Sequence, residues 1–196
     1  MILRHFVGVG GGKTNFKWFA SVCRLRRFQP CMSAMEYSTE SLSGMFHFGP
    51  YLLKKSVEVF YVSKLSYGIV NLKPIVPGHV LVIPKRVVKR FQELSPEEVG
   101  DLWQSAQHIG VKLEQYYQAQ AMTFCIQDGE AAGQTVPHVH VHVIPRRPGD
   151  FKRNDQVYEM LESNSVQKWE IDNEGRRNRT EEEMEEEAKR LRTLWM

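Results

Sequence analysis

The chain has 196 residues, 42% hydrophobic and 25% charged, with a formal net charge of +3, which suits one ordinary globular domain with extensions. Six basic side chains (Arg4, Lys13, Lys17, Arg24, Arg26, Arg27) stand against two acidic ones (Glu36, Glu40) in residues 1–44, so residues 45–196 carry a net charge of −1. That part offers no electrostatic footprint for nucleic acid, and no apolar run approaches the ~20 residues of a membrane-spanning helix.

Residues 1–35 contain no Asp or Glu and scatter arginines among serines and aromatics. This is the composition of an organelle transit peptide. A disordered extension accounts for the same composition, as does translation starting at Met32, Met35 or Met45. The expected location is cytoplasmic, or organellar if residues 1–35 act as a transit peptide. The run Gly8 to Gly12 with Lys13-Thr14 has no preceding strand and the wrong spacing for a phosphate loop. Residues 1–44 are therefore assigned to a targeting or disordered extension and 45–196 to one domain.

From Phe46 the chain becomes patterned. Val57 to Val62 reads as a strand, Ser63 to Ser66 as a hairpin turn, and Tyr67 to Leu72 as a second strand. Pro74 to Gly78 is a turn, because two prolines and a glycine cannot continue a ladder. His79 to Pro84 is a third strand, and the short connections imply an antiparallel meander. Ser95-Pro96-Glu97-Glu98 opens a helix with an N-cap serine, proline in the first turn and early acids. Val99, Leu102, Trp103, Ala106, Ile109 and Leu113 follow at helical spacing and form its core stripe. Ala121 to Ile126 is a fourth strand, with Cys125 expected as a buried thiol. The three cysteines (Cys23, Cys31, Cys125) have neither metal-binding spacing nor a disulfide framework, as in a reducing compartment.

The loop from Gln127 to Pro137 leads into a fifth strand, His138 to Ile144. Beyond Gly149 the chain turns polar, and residues 161–180 read as a loop. Thr180-Glu181-Glu182-Glu183 is a capping box for a last helix. Its apolar stripe is Met184, Ala188, Leu191 and Trp195, its glutamates form a solvated face, and Glu185 and Lys189 are spaced to pair. The fold class is α+β: a five-stranded antiparallel sheet with a long helix and a C-terminal helix. The sequon at Asn178 is discounted, because the cysteine pattern argues against secretion.

Three of the seven histidines lie in His138-Val139-His140-Val141-His142-Val143-Ile144. Strand alternation puts them on one face and the valines on the other, with neighbouring imidazoles roughly 6.5–7 Å apart. A core has no use for such a row, since unpartnered buried imidazoles cost free energy. Zinc is one reading, but three successive strand histidines span roughly 13 Å, too far for one ion with ~2.1 Å bonds. A zinc site would need His79 or an acid from elsewhere. The better reading is a nucleophile at His140 with flanking helpers, since neutral imidazole attacks well and leaves well once protonated. Phosphorus is the natural electrophile, and Gly133, Gln134, Thr135 and Val136 offer backbone N–H groups and polar side chains beside it. Asn71 and Gln127 sit at strand ends where a nucleotide could be held.

The stretch HVHVHVIPR resembles the signature of the histidine triad superfamily. Asn71 to Pro74, Pro77 to Val82, Gln127-Asp128-Gly129, Gly133 to Val136, Gly149-Asp150-Phe151, Arg153-Asn154-Asp155 and Tyr158-Glu159 are similar to its fragile histidine triad branch, over about residues 46–196. The resemblance implies the histidine triad fold and hydrolysis of diadenosine triphosphate to AMP and ADP. It implies His140 as the nucleophile that becomes adenylylated and His142 as the neighbour that contacts phosphate and assists the leaving group. His138 and His79 would orient and polarise the pair, Asn71 would hold the ribose, and Gln127 with Gly133–Val136 would hold phosphates. It implies a homodimer and an adenine dinucleotide or adenylylated small molecule as partner. Magnesium or manganese would come with the substrate phosphates, and no metal would be tightly bound. Where the branch often has a histidine lining the adenine pocket, this chain has Gly49-Pro50-Tyr51-Leu52, which leaves Tyr51 to stack on a base. Adenylylsulfatase activity, nucleoside phosphoramidase activity and a nucleotide-binding signalling module remain alternatives.

Overall fold

The computed structural model describes residues 46–162 and 177–196. The expectations for residues 1–45 and for residues 163–176 of the polar stretch lie outside the described residues. In chain order come β1 (Phe46–Phe48), β2 (Tyr51–Leu53), β3 (Val59–Val62), β4 (Ser66–Val70), β5 (Val80–Pro84), α1 (Pro96–Tyr116), β6 (Ala121–Cys125), β7 (Val141–Arg146), α2 (Gln156–Glu162) and α3 (Glu181–Arg192).

The β1–β2 hairpin stands apart as a two-stranded sheet, and the main sheet runs β3-β4-β5-β7-β6, antiparallel throughout. The chain reaches β6 through α1 and then inserts β7 between β5 and β6. The α+β class with five antiparallel strands is therefore as the sequence predicts.

Alternation sorts the side chains onto two faces. Val80, Val82, Val139, Val141 and Val143 meet Leu102, Ala106, Ile109 and Leu113 of α1 and Met184, Ala188 and Leu191 of α3. Burying one such aliphatic side chain contributes roughly 1.5–3 kcal/mol. On the other face, Val59, Tyr67, Ile69, Leu81 and Ile83 pack against Phe46, Phe48 and Leu53 of the hairpin. Further along that face, Ile144 packs with Val157 and Leu161 of α2. The histidines lie between these two clusters.

Both long helices open on reciprocal capping boxes, Ser95 with Glu98 and Thr180 with Glu183. In each, one side chain satisfies an orphan N–H of the first turn and the other returns to the cap.

Several expectations shift. Trp103 is 39% exposed, because it lies one residue round the helix from the Leu102 row. The residues from Lys54 to Val57 form a turn, so β3 starts at Val59. Cys125 is only half-buried at the end of β6. Within α3 the i,i+4 pair is Glu186 with Arg190. Glu187 is not solvated but buried, and it binds Arg179. The hairpin and α2 have strands and turns too short for periodicity to reveal, although Gly49-Pro50 marks the hairpin turn.

Candidate active site

Only His142 of the histidine run lies in a strand. His138 and His140 precede β7, where β5 has ended and the neighbouring chain is the irregular segment 85–90. Val139 N–H donates to Val88 O instead of to a ladder (2.8 Å). Alternation nonetheless persists, and all three imidazoles are buried on the face away from α1. The spacing expected along a straight strand is too long. The His140 and His142 rings stand 4.9 Å apart, edge to face, because ring tilt closes the gap between their backbones.

Hydrogen bonds assign a role to each ring nitrogen. His138 Nε2 faces two carbonyls, Pro84 O at 3.0 Å and Arg86 O at 3.1 Å, so it carries the proton. Its Nδ1 then accepts from Gly49 N–H at 3.2 Å. His138 thereby ties the hairpin turn to the sheet with both nitrogens occupied. His140 Nδ1 lies 2.8 Å from His138 O and must donate to it. The lone pair of His140 is left on Nε2. This is how a hydrogen bond at one nitrogen selects the reactive one.

His79 Nδ1 accepts from Ile75 N–H at 3.2 Å, so its proton is on Nε2 and is donated to His142 Nδ1 at 3.0 Å. The His142 proton then sits on Nε2, which is buried and has no partner. A buried orphan donor costs free energy, and beside the lone pair of His140 it is a ready contact for an anionic oxygen.

Burial holds these rings neutral. It is the main cause that lowers the His140 pKa to about 4, and it lowers His142 and His138 as well.

The remaining expected residues divide. Asn71 leaves the end of β4 beside the cluster, its Nδ2 3.3 Å from His79 Nε2. Its Oδ1 accepts from Lys73 N–H at 2.9 Å, which turns the amide NH2 toward the histidines. Gln127 lies over Gly133, where a Cβ would come within 2.5 Å of the Gln127 amide nitrogen.

The Gln134 side chain is already engaged inside its own loop. It accepts from Gly129 N–H at 2.9 Å and donates to Lys89 O at 3.0 Å. Thr135 is exposed, and the Val136 side chain packs on Gly49. The backbone N–H groups of Gly133 and Gln134 are engaged inside the loop as well, donating to Glu130 O at 2.9 Å and Gly129 O at 3.1 Å. Tyr51 is 60% exposed and does not meet the histidines. Phe48 does, edge-on to His140 at 5.1 Å and tilted on His138 at 6.2 Å. Sequence reasoning missed Phe48 because its signal was the overlooked hairpin.

Among the described residues, no group of three or more histidine, cysteine or acidic side chains is placed to hold a metal ion. No helix among them is long and apolar enough to cross a membrane.

Known proteins resemble this chain in sequence and fold. Residues 54–149, which hold all four histidines of the cluster, match the HIT domain. The bifunctional bis(5'-adenosyl)-triphosphatase/adenylylsulfatase FHIT of Arabidopsis thaliana is 47% identical over 79% of this chain and 87% of its own length. The bis(5'-adenosyl)-triphosphatase of Dictyostelium discoideum is 49% identical over 76% of this chain and 92% of its own. Among solved structures, the Plasmodium falciparum diadenosine triphosphate hydrolase in complex with Cyclomarin A superimposes with a TM-score of 0.61 at 33% identity, covering 79% of this chain and 86% of that one. The C. elegans NitFhit protein gives 0.63 at 38% identity, over 79% of this chain and 31% of that one. The hydrogen-bonded histidine row, the five-stranded sheet that carries it and these likenesses agree: the chain belongs to the HIT-domain family, in its fragile histidine triad branch.

Proposed function

We propose that this chain hydrolyses diadenosine triphosphate to AMP and ADP through a covalent adenylyl-histidine at His140. The observation that carries the reading is the His140 Nδ1–H bond to His138 O. It leaves a neutral, buried Nε2 lone pair as the nucleophile. Nε2 attacks the α-phosphorus, and the bond from that phosphorus to the bridging oxygen of the departing ADP breaks. The Nε2–H of His142 donates to phosphate oxygen and stabilises the charge that develops there, held in place by His79. Water then attacks the adenylyl phosphorus, releases AMP and restores His140. His138 fixes the His140 ring through its carbonyl.

Asn71 binds ribose hydroxyls with its amide. Gln127 and the backbone N–H groups of Thr135 and Val136 hold phosphates, while the Gly133 and Gln134 N–H groups, bonded to Glu130 O and Gly129 O, keep the loop in shape. The apolar wall of Phe48, Leu53, Ile69 and Leu81 takes the base in place of the expected Tyr51.

A divalent cation, magnesium or manganese, bound to the substrate phosphates would neutralise part of their charge. The chain acts as a homodimer. Supporting this is the outer edge of β6, which has no strand partner among the described residues and carries the 38% exposed Phe124.

His140→Asn is expected to lower turnover by several orders of magnitude while nucleotide binding persists. A near wild-type rate would sink the assignment. The Arabidopsis relative's name favours adenylylsulfate as a second substrate, because the same attack at α-phosphorus would release sulfate. Rates on diadenosine triphosphate, adenylylsulfate and an adenosine phosphoramidate rank the three. Sedimentation of the purified chain reads the dimer.

A further inference from the structure

The turn from Asn71 to His79 carries two residues of the site, one at each end, and a polar cluster centred on the buried Glu187 reaches both ends through Arg179 and Tyr117. Glu187 of α3 is 4% exposed. It binds the guanidinium of Arg179, which also lies 3.5 Å from Glu187 Oε1 through its second nitrogen. Glu187 Oε1 accepts a third contact from the Tyr117 hydroxyl at 3.1 Å. Arg179 then reaches the first end of the turn: its backbone N–H donates to Leu72 O at 3.0 Å, and its side-chain Nη1 lies 3.5 Å from Asn71 O. Tyr117 reaches the other end. Its ring lies flush on Gly78, the residue before His79, so that a Cβ there would come within 2.5 Å of the ring.

A carboxylate this deeply buried is expensive without partners. Leucine or methionine at position 187 would cover α1 and the sheet at no such cost. The arrangement makes sense if its directional bonds serve the turn. We propose that Glu187, Arg179 and Tyr117 are positioning residues that hold the Asn71–His79 turn from both ends. They set the Asn71 amide toward the substrate ribose and the His79 ring toward His142. The carboxylate is the hub, Arg179 the arm to Asn71, and Tyr117 the arm to His79. The last helix thus acts on substrate binding without touching substrate. This inference rests on the proposed function for the identity of the substrate, but its geometry concerns the turn alone.

The test uses the full chain with three substitutions. Arg179→Lys keeps a cation but loses the planar fork that grips two groups at once. Glu187→Gln removes the charge, and Tyr117→Phe removes only the hydroxyl and keeps the ring on Gly78. Arg179→Lys and Glu187→Gln are expected to raise KM for diadenosine triphosphate about 5–10-fold, with a smaller effect on kcat, since misplacing a binding group costs orientation. The double variant is expected to be no worse than the more impaired single one, because the two side chains act as one unit. Tyr117→Phe is expected to give a smaller rise. Leu191→Ala, which empties core space on the same helix, serves as the comparison: it lowers Tm and leaves KM unchanged.

A second readout needs no turnover. The imidazole nitrogen resonances of His79 and His142 are expected to shift in Glu187→Gln and to stay in place in Leu191→Ala. Unchanged KM and unchanged resonances in Glu187→Gln would overturn the proposal. So would a KM that rises equally in Leu191→Ala, because general loosening of α3 would then explain both. A wild-type chain that does not turn over the dinucleotide defeats the functional reading instead, and the resonances alone then decide this one.

Discussion

At the scale of single residues, the chemistry follows from which nitrogen of each imidazole is already engaged. His138 spends both on the fold, His140 keeps one lone pair, and His142 keeps one donor. Burial depresses the His140 pKa to about 4 from an ordinary value of 6.5. In the unfolded chain this imidazole takes up a proton below pH 6.5, while in the folded chain it does not until about pH 4. Between those values the unfolded state binds more protons, so stability is full above pH 6.5 and falls as pH drops toward 4. His138 and His142 are shifted in the same direction by the same cause. Urea denaturation at a series of pH values is expected to show unfolding free energy declining below pH 6.5, by about 1.4 kcal/mol per pH unit for one such histidine. His140→Asn is expected to flatten part of the decline. A wild-type profile level from pH 7 to 5 would mean that the rings are not held neutral.

At the scale of elements, loops and caps do most of the positioning. The loop before β7 turns at Gly133, which has a left-handed φ of 86° and the Gln127 amide 2.5 Å from where a Cβ would sit. Gly149 has a similar φ of 78° with nothing within 4 Å. Alanine at either position carries the left-handed strain of roughly 1–2 kcal/mol. Only Gly133→Ala also displaces Gln127. Both variants are therefore expected to lose stability in thermal melts, and only Gly133→Ala to raise KM several-fold. Equal kinetics in the two would remove Gln127 from the binding site. The α3 cap gives a cleaner stability test. Thr180→Ala removes the acceptor for Glu183 N–H and half of the reciprocal box, at a cost of about 1 kcal/mol by denaturation. An unchanged midpoint would show that Arg177 and Arg179 hold this helix start without the cap.

At the scale of the whole molecule, residues 46–162 and 177–196 contain the sheet, both helical covers and the site. A chain beginning at Met45 is expected to keep its Tm and its rate on diadenosine triphosphate, since residues 1–35 show no periodicity that would give them a packing face. Loss of folding on truncation would contradict this, and the first 44 residues fused to a fluorescent reporter test organelle targeting. What the sequence by itself determined is whatever is periodic or local. The α1 stripe, the two capping boxes, the sheet's strands and the one-sided histidine row all follow from side-chain spacing of 3.6 or 2 residues or from contacts within one turn. Tertiary structure alone decided the rest. It chose Phe48 over Tyr51 as the ring against His140, occupied the Gln134 side chain within its loop, and buried Glu187 among Arg179 and Tyr117 from distant segments. It also set the protons on His138, whose partners come from Pro84, Arg86 and Gly49, and on His142, through His79. A residue's own sequence neighbourhood carries no record of a partner brought to it by packing between elements; the His138 O bond that selects the His140 nitrogen is local, but the partners that orient His138 and His142 are of that kind.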